Sequence, residues 1–287
     1  MKLYAPSTVN EIRNRYGFKN SKSLGQNFLT DKAIIDKITD GAGIGPEDLV
    51  IEIGPGLGVI TYEAALRAKK VIAVEVDKNL IPILKETLAE FDNVQVLHQD
   101  ILKTDLNKII EEAKADGVKG VKIIGNLPYY ITTPIIMKLL EDGVKADSIT
   151  VMMQKEVADR IQSKPGKKTY GAISVAVQYY CRVETVAYVP RQVFIPQPNV
   201  DSAVLRLDIR KEAPVELLDK DMFFTCVKAG FGQRRKTLLN ALMTVKGITK
   251  DIVRDALKAS GIEESRRAET LDLLEFGRLA DEVKKRL

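Results

Sequence analysis

The run Val50-Ile51-Glu52-Ile53-Gly54-Pro55-Gly56-Leu57-Gly58 joins the signature of a strand to that of a helix. Apolar, partly β-branched residues end in a Gly-x-Gly-x-Gly turn, and Tyr62, Ala65 and Leu66 then fall at helical spacing. Glycine has no Cβ, so such a turn can take positive φ and let its backbone lie close to a ligand. The unpaired N–H groups of the helix that follows point toward that space. This predicts a nucleotide-like pocket at the carboxyl end of a parallel sheet. A tight strand-to-helix connection needs the same glycines, so the turn alone does not decide between a pocket and a plain turn.

Outward from this run the chain alternates strand and helix. Strands are predicted at Val71–Val76, Val94–His98, Val121–Gly125 and Ile149–Met153, each an apolar run suited to a sheet buried on both faces. Helical spacing lies between them, as at Leu80–Phe91 and Thr133–Leu140. Ile173–Tyr180 reads as helical or extended. Val183–Val189 and Val204–Ile209 have no helix between them and should pair antiparallel at one edge. Beyond Lys211–Pro214 only helical periodicity remains, at Met222–Lys228, Lys236–Val245, Ile252–Ser260 and Leu273–Val283. Thr249 and Asp272 are predicted N-caps, the latter with Glu275 completing a capping box. The expected architecture is α/β, a Rossmann-like and mostly parallel sheet over residues 1–211, followed by a small all-helical domain over 212–287.

Residues 1–24 carry Lys2, Arg13, Arg15, Lys19 and Lys22 against Glu11, and read either as a solvated tail or as an RNA-contacting arm. Asp31 or Thr30 should cap a helix defined by Ile34, Ile35 and Ile38, with Gln26 and Asn27 in the preceding turn. Composition bounds the rest. The 287 residues are 45% hydrophobic and 29% charged, as in ordinary globular proteins. No apolar run approaches the roughly 20 residues that span a bilayer, and the N-terminus lacks a signal-peptide core. Two distant cysteines, Cys181 and Cys226, suggest reduced thiols and a cytoplasmic protein. With one histidine, His98, a transition-metal site has little to be built from. A net charge of +5 permits nucleic-acid binding without requiring it.

Glu75 ends the second of these strands about twenty residues after the turn, where an acid meets ribose hydroxyls in dinucleotide sites. Asp100 follows the next strand and could accept from an adenine amine. Gly125-Asn126-Leu127-Pro128-Tyr129-Tyr130 follows the fourth. There the Asn126 side-chain carbonyl and the Leu127 backbone carbonyl can each accept an N–H from an exocyclic adenine amine. That would hold the nitrogen toward sp³ and localise its lone pair for attack, while Tyr129 stacks on the base. A nicotinamide-dependent oxidoreductase would use the same glycine turn, but lacks an evident proton donor and leaves Asn-Leu-Pro-Tyr unexplained.

Together Gln26-Asn27-Phe28-Leu29, Glu52-Ile53-Gly54-Pro55-Gly56, Glu75, Asp100 and Asn126-Leu127-Pro128-Tyr129 resemble the S-adenosylmethionine-dependent ribosomal RNA adenine N6,N6-dimethyltransferases. Phe194-Ile195-Pro196-Gln197-Pro198-Asn199-Val200-Asp201-Ser202 matches that family's later base-binding loop. Gly230-Phe231-Gly232-Gln233-Arg234-Arg235-Lys236-Thr237-Leu238 resembles the basic segment of its small-subunit branch, whose loss gives kasugamycin resistance. The larger-subunit, antibiotic-resistance branch usually has isoleucine where Leu127 stands. The resemblance implies a seven-stranded methyltransferase sheet, S-adenosylmethionine as donor and no metal. It places Gln26, Asn27, Leu29, Gly54 and Gly56 at the methionine end of the donor, Glu75 at the ribose and Asp100 at the adenine. Asn126, Leu127, Tyr129 and Phe194 would receive the target base, with Asn126 also counted at the donor side.

It further implies two adjacent adenosines in the 3′-terminal hairpin of small-subunit (16S) rRNA as substrate, a monomeric protein and no membrane. No strong general base is needed, because the methylated amine is acidic enough to lose its proton to water. Arg234, Arg235 and Lys236 would contact RNA phosphate. Read as the start of a helix, they oppose its macrodipole and so are not there for helix stability. A mainly non-catalytic assembly factor would use the same basic residues equally well.

Overall fold

The computed structural model describes residues 2–17 and 25–287. In chain order the elements are α1 (Pro6–Arg15), β1 (Phe28–Leu29), α2 (Lys32–Ala42), β2 (Asp48–Ile53), α3 (Val59–Ala65), β3 (Lys70–Glu75), α4 (Leu80–Thr87), β4 (Val94–His98), α5 (Leu106–Ala115), β5 (Gly120–Asn126), α6 (Thr132–Glu141) and β6 (Ser148–Gln154). They continue as α7 (Lys155–Ile161), α8 (Ala172–Tyr180), β7 (Cys181–Val189), β8 (Phe194–Ile195), β9 (Ser202–Ile209), α9 (Lys220–Gly232), α10 (Leu238–Leu242), α11 (Lys250–Ala259) and α12 (Leu273–Lys284).

Seven strands form one sheet in the order β4-β3-β2-β5-β6-β9-β7. Strands β4 to β6 are mutually parallel, and β9 joins β6 antiparallel. As expected, β9 and β7 are neighbours and β7 forms the edge. From β2 the chain winds outward through β3 and β4, then returns to place β5 on the other side of β2. The reversal between β2 and β5 is the topological switch point, where open α/β sheets leave a crevice at their carboxyl ends. β2 and β3 are buried along nearly their whole length, which explains their unbroken apolar sequence.

Caps set the helix limits. Asp31 accepts from the Ile34 N–H at 3.2 Å to start α2, and Gly43 closes it at φ 63° in the left-handed region. Thr249 caps α11, and Asp272 with Glu275 makes the expected capping box of α12.

The chain divides into two compact units, residues 1–158 with 183–209 and residues 159–182 with 210–287. The break near residue 211 falls where the composition shifts. The segment 159–182, expected in the first domain, belongs instead to the helical unit, where Tyr170, Val175 and Tyr179 join Phe223, Leu238 and Phe276 in one core. Ile173–Tyr180 is helical.

The N-terminal residues differ from both readings of an arm. Leu3, Val9 and Ile12 are buried in the core of the first unit, and Pro6 stands in the first turn of α1. Arg15 pairs with Glu11 and with Glu86, each at 2.5 Å. The predicted basic residues Lys19 and Lys22 lie outside the described residues. No helix among the described residues is long and apolar enough to cross a membrane.

Candidate active site

A cavity of about 1020 Å³, counting its open mouth, lies at the carboxyl ends of β2, β3 and β5. Gly54 and Gly56 shape its floor at φ 69° and 60°. A Cβ on Gly54 would enter open space, and one on Gly56 would press the Phe28 ring at 3.3 Å. The backbone therefore lies bare beside the cavity, as a ligand-binding turn requires.

One side of the cavity is acidic. Glu75 is buried at the end of β3, and its Oε1 accepts from the Asp77 N–H at 2.8 Å. Burial raises its carboxyl above the ordinary range, while backbone N–H donors, including those of Asp77 and Gly56, oppose that shift. Asp77 holds Gln26 through a 2.7 Å bond from the amide and also receives the Asn79 N–H at 2.9 Å. Asp100, half-buried beyond β4, accepts from the Leu102 N–H at 3.0 Å with Oδ1. His98 is an exposed strand residue whose Nε2 lies 3.2 Å from the Val76 carbonyl, and it does not line the cavity.

The other side is neutral and aromatic. Asn126 ends β5 and donates its amide N–H to the Asn27 carbonyl at 3.0 Å. That bond orients the amide and leaves its oxygen as the acceptor without a partner among the described residues. Leu127 is 1% exposed, and its N–H donates to Met152 at 3.1 Å. Its carbonyl takes no bond among the described residues. Tyr129 is tethered by its hydroxyl to the Ser202 hydroxyl at 2.8 Å, so its ring is held where it lines the cavity.

The structure thus brings Gln26, Asn27, Leu29, Gly54, Gly56, Glu75, Asp100, Asn126, Leu127 and Tyr129 to one cavity. Phe194 is not among them. It is 2% exposed and pairs across the β1–β8 ribbon with Leu29, so it packs in the core behind the wall. Sequence reasoning assigned no role to Glu52, Asp77 or Tyr130, all near or on the cavity. The signal for Glu52 was present: an acid within a strand otherwise built for burial on both faces.

The basic cluster is also placed differently. Arg234, Arg235 and Lys236 occupy the connection after α9 and before Thr237, the N-cap of the five-residue α10. Arg234 donates to the carbonyls of Lys168 at 2.8 Å and Tyr170 at 3.1 Å, which gives it a structural task. Against expectation the three cations are not the first turn of a helix: they follow the C-terminus of α9, whose dipole favours cations, and precede the N-cap of α10. All three are exposed.

A switch-point cavity with buried acids on one side and an Asn-Leu-Pro-Tyr turn on the other has the form of a nucleoside-dependent transferase site of the methyltransferase class. The comparisons narrow this. Residues 17–285 match the model of the ribosomal RNA adenine dimethylase family, and the chain belongs to that family and is an enzyme of its kind. It is 54% identical to the ribosomal RNA small subunit methyltransferase A of Alkaliphilus oremlandii, over 100% of this chain and 99% of that one. It is 52% identical to the protein of the same name from Geobacillus thermodenitrificans, over 97% and 96% of the two chains. Among solved structures, a dimethyladenosine transferase from Plasmodium falciparum superposes with a TM-score of 0.74 at 27% identity, covering 88% of this chain and 95% of that one. The 23S rRNA methyltransferase ErmE gives 0.69 at 26% identity, covering 90% and 99%.

Proposed function

We propose that this enzyme transfers methyl groups from S-adenosylmethionine to the N6 amine of adenosine in small-subunit rRNA, at two adjacent positions of the 3′-terminal hairpin. The observation that carries this reading is the pairing of two different walls in one cavity, acids at the ends of β3 and β4 and an amide–tyrosine turn at the end of β5. The bare glycine floor and the acid set fit an adenosine-bearing cation. Glu75 would hold the ribose, Asp100 the adenine, and Gln26, Asn27, Leu29, Gly54 and Gly56 the methionine end. S-adenosylmethionine supplies an already activated methyl group on a sulfonium.

The protein's share is orientation. The Asn126 side-chain oxygen and the Leu127 carbonyl accept the two N–H groups of the target amine, directing its lone pair. Tyr129, fixed by Ser202, stacks on the base, a contact worth about 1–3 kcal/mol. Bringing the base out of its stack costs a few kcal/mol, so a preformed slot matters. Positioning of this kind supplies much of the rate in bimolecular transfers. Phe194 supports the wall through β1 and is not counted among the base-receiving groups.

The small-subunit assignment rests on the full-length likeness to enzymes of that name and on Leu127 in the motif. Arg235 and Lys236 are the cations best available for RNA phosphate, since Arg234 is engaged within the helical unit. Incubation with isotopically labelled S-adenosylmethionine and unmethylated small subunits, followed by mass spectrometry of the digested RNA, tests the reading. N6,N6-dimethyladenosine at neighbouring small-subunit positions is expected. Label confined to the large subunit would move the enzyme to the other branch.

A further inference from the structure

Among the described residues three tyrosines are exposed, Tyr16, Tyr130 and Tyr188. Two of them have work within the fold. The Tyr16 hydroxyl donates to Glu86, and the Lys155 ammonium lies over the Tyr188 ring, 5.6 Å from its centroid. Tyr130 has no hydrogen-bond, ring or cation partner among the described residues, and of the three it alone lines the cavity.

Its place is set by the turn that carries it. The Pro128 carbonyl accepts from the Ile131 N–H at 3.1 Å and from the Thr132 hydroxyl at 2.9 Å, which closes the turn onto the start of α6. One edge of the ring rests on Gly25, where a Cβ would lie 3.6 Å from Cδ1 and 3.7 Å from Cε1. The residue is nonetheless 55% exposed. A lone exposed side chain needs no explanation. An aromatic face braced at the mouth of a base slot does.

Chemistry on the amine of a stacked adenine requires the base to leave its stack. Two faces are then uncovered, one on the target and one on the neighbouring base. Tyr129, tied to Ser202, serves the first. We propose that Tyr130 serves the second: its exposed ring stacks on the nucleotide next to the target while the target occupies the slot. This deepens the reading of the cavity as an RNA adenine methylation site and rests on it. Every base has a π-face, so such a platform supplies hold and not sequence choice. When neighbouring adenosines are modified in turn, one takes the platform while the other is in the slot.

Methyl transfer from labelled S-adenosylmethionine to unmethylated small subunits, at saturating donor, gives the first readout. Tyr130→Ala is expected to lower kcat/KM for the subunit by about five- to a hundredfold. Tyr130→Phe keeps the face and should lose less than about threefold. Donor affinity by calorimetry and the melting temperature should match the wild type in both variants, since the side chain buries little. Wild-type kcat/KM in Tyr130→Ala, or an equal loss in both variants, would overturn the proposal. Weakened donor binding would overturn it too, and would make Tyr130 a cover for the methionine end beside Gly25.

A second readout reports the contact itself. Tyr130→p-benzoylphenylalanine, photolysed on the small subunit, should cross-link to a nucleotide flanking the methylated adenosine, mapped by primer-extension stops. A residue that only shaped the turn would give no such cross-link. Cross-links confined to distant rRNA positions, or none at all, would contradict the proposal, whether or not the alanine variant is stable. A wild type that binds donor but leaves small subunits unmodified would instead overturn the substrate reading.

Discussion

The two walls of the cavity differ in chemistry, and in the proposed function they recognise by different physics. On the β2–β4 side the lining carries the acids Glu52, Glu75 and Asp100, with Asp77 behind them holding Gln26. On the β5 side the lining is an oriented amide, a buried leucine and a tethered ring: Asn126, Leu127 and Tyr129. In the proposed function, charge acts on the donor in the ground state, before any bond changes. Oriented carbonyls matter most once the amine becomes tetrahedral and its N–H groups gain positive charge. Damage to the first wall should therefore appear as lost donor affinity, and damage to the second as lost turnover.

The largest effect expected is outside both walls. Phe194→Ala removes a fully packed ring beside the β1–β8 ribbon and should destabilise the fold by about 3–5 kcal/mol. Chemical denaturation checks this. A near-normal unfolding midpoint with a collapse of activity would return Phe194 to the base slot.

Next is Asn126→Ala, which removes a preorganised acceptor and should lower single-turnover methylation by about 10²–10³. It also frees the Asn27 carbonyl, a loss of about 1 kcal/mol of stability, so a thermal melt must accompany the kinetics. Donor affinity should stay near the wild-type value.

Asp100→Ala should weaken donor binding by roughly ten- to a hundredfold, the worth of a charged acceptor. Calorimetry reads this, and turnover at saturating donor should change little. The smallest effect is expected from the helical unit. Neutralising Arg235 and Lys236 together should flatten the salt dependence of RNA binding by up to about two units of slope, while Arg234→Ala mainly loosens the 168–170 connection. An unchanged slope in the double variant would leave those cations as solvated surface.

What could be read ahead of the structure follows the same division. β2, β3, β5 and β6 were legible because strands buried on both faces are written as apolar runs, and the acids at their ends stand out against them. β4 was found from its valines and leucine too, but against expectation it is only partly buried, with Gln95 and His98 exposed. The cavity set followed from its spacing and from the family resemblance. Less legible were features decided by distant packing. α1 buries only Val9 and Ile12, with Leu3 just before it, too sparse a signal to separate from a tail. Residues 159–182 join the helical unit through Tyr170 and Tyr179, whose partners lie beyond residue 220. Phe194 turned inward because β8 pairs with β1, some 165 positions away by register (194 minus 29). Arg234 is held by two carbonyls that local sequence does not announce. Glu52 was visible in the sequence, but its burial without a paired lysine or arginine among the described residues is a property of the fold.

The division of labour between the walls is tested most directly by a double-mutant cycle of Asp100→Ala and Asn126→Ala. Donor affinity and single-turnover rate are measured for wild type, both single variants and the double variant. The account predicts a double variant with the donor affinity of Asp100→Ala and the rate of Asn126→Ala, each within the few tenths of a kcal/mol expected of independent sites. If Asn126→Ala alone lost donor binding, or the two changes showed strong coupling in affinity, the cavity would be one undivided site and the account would be wrong.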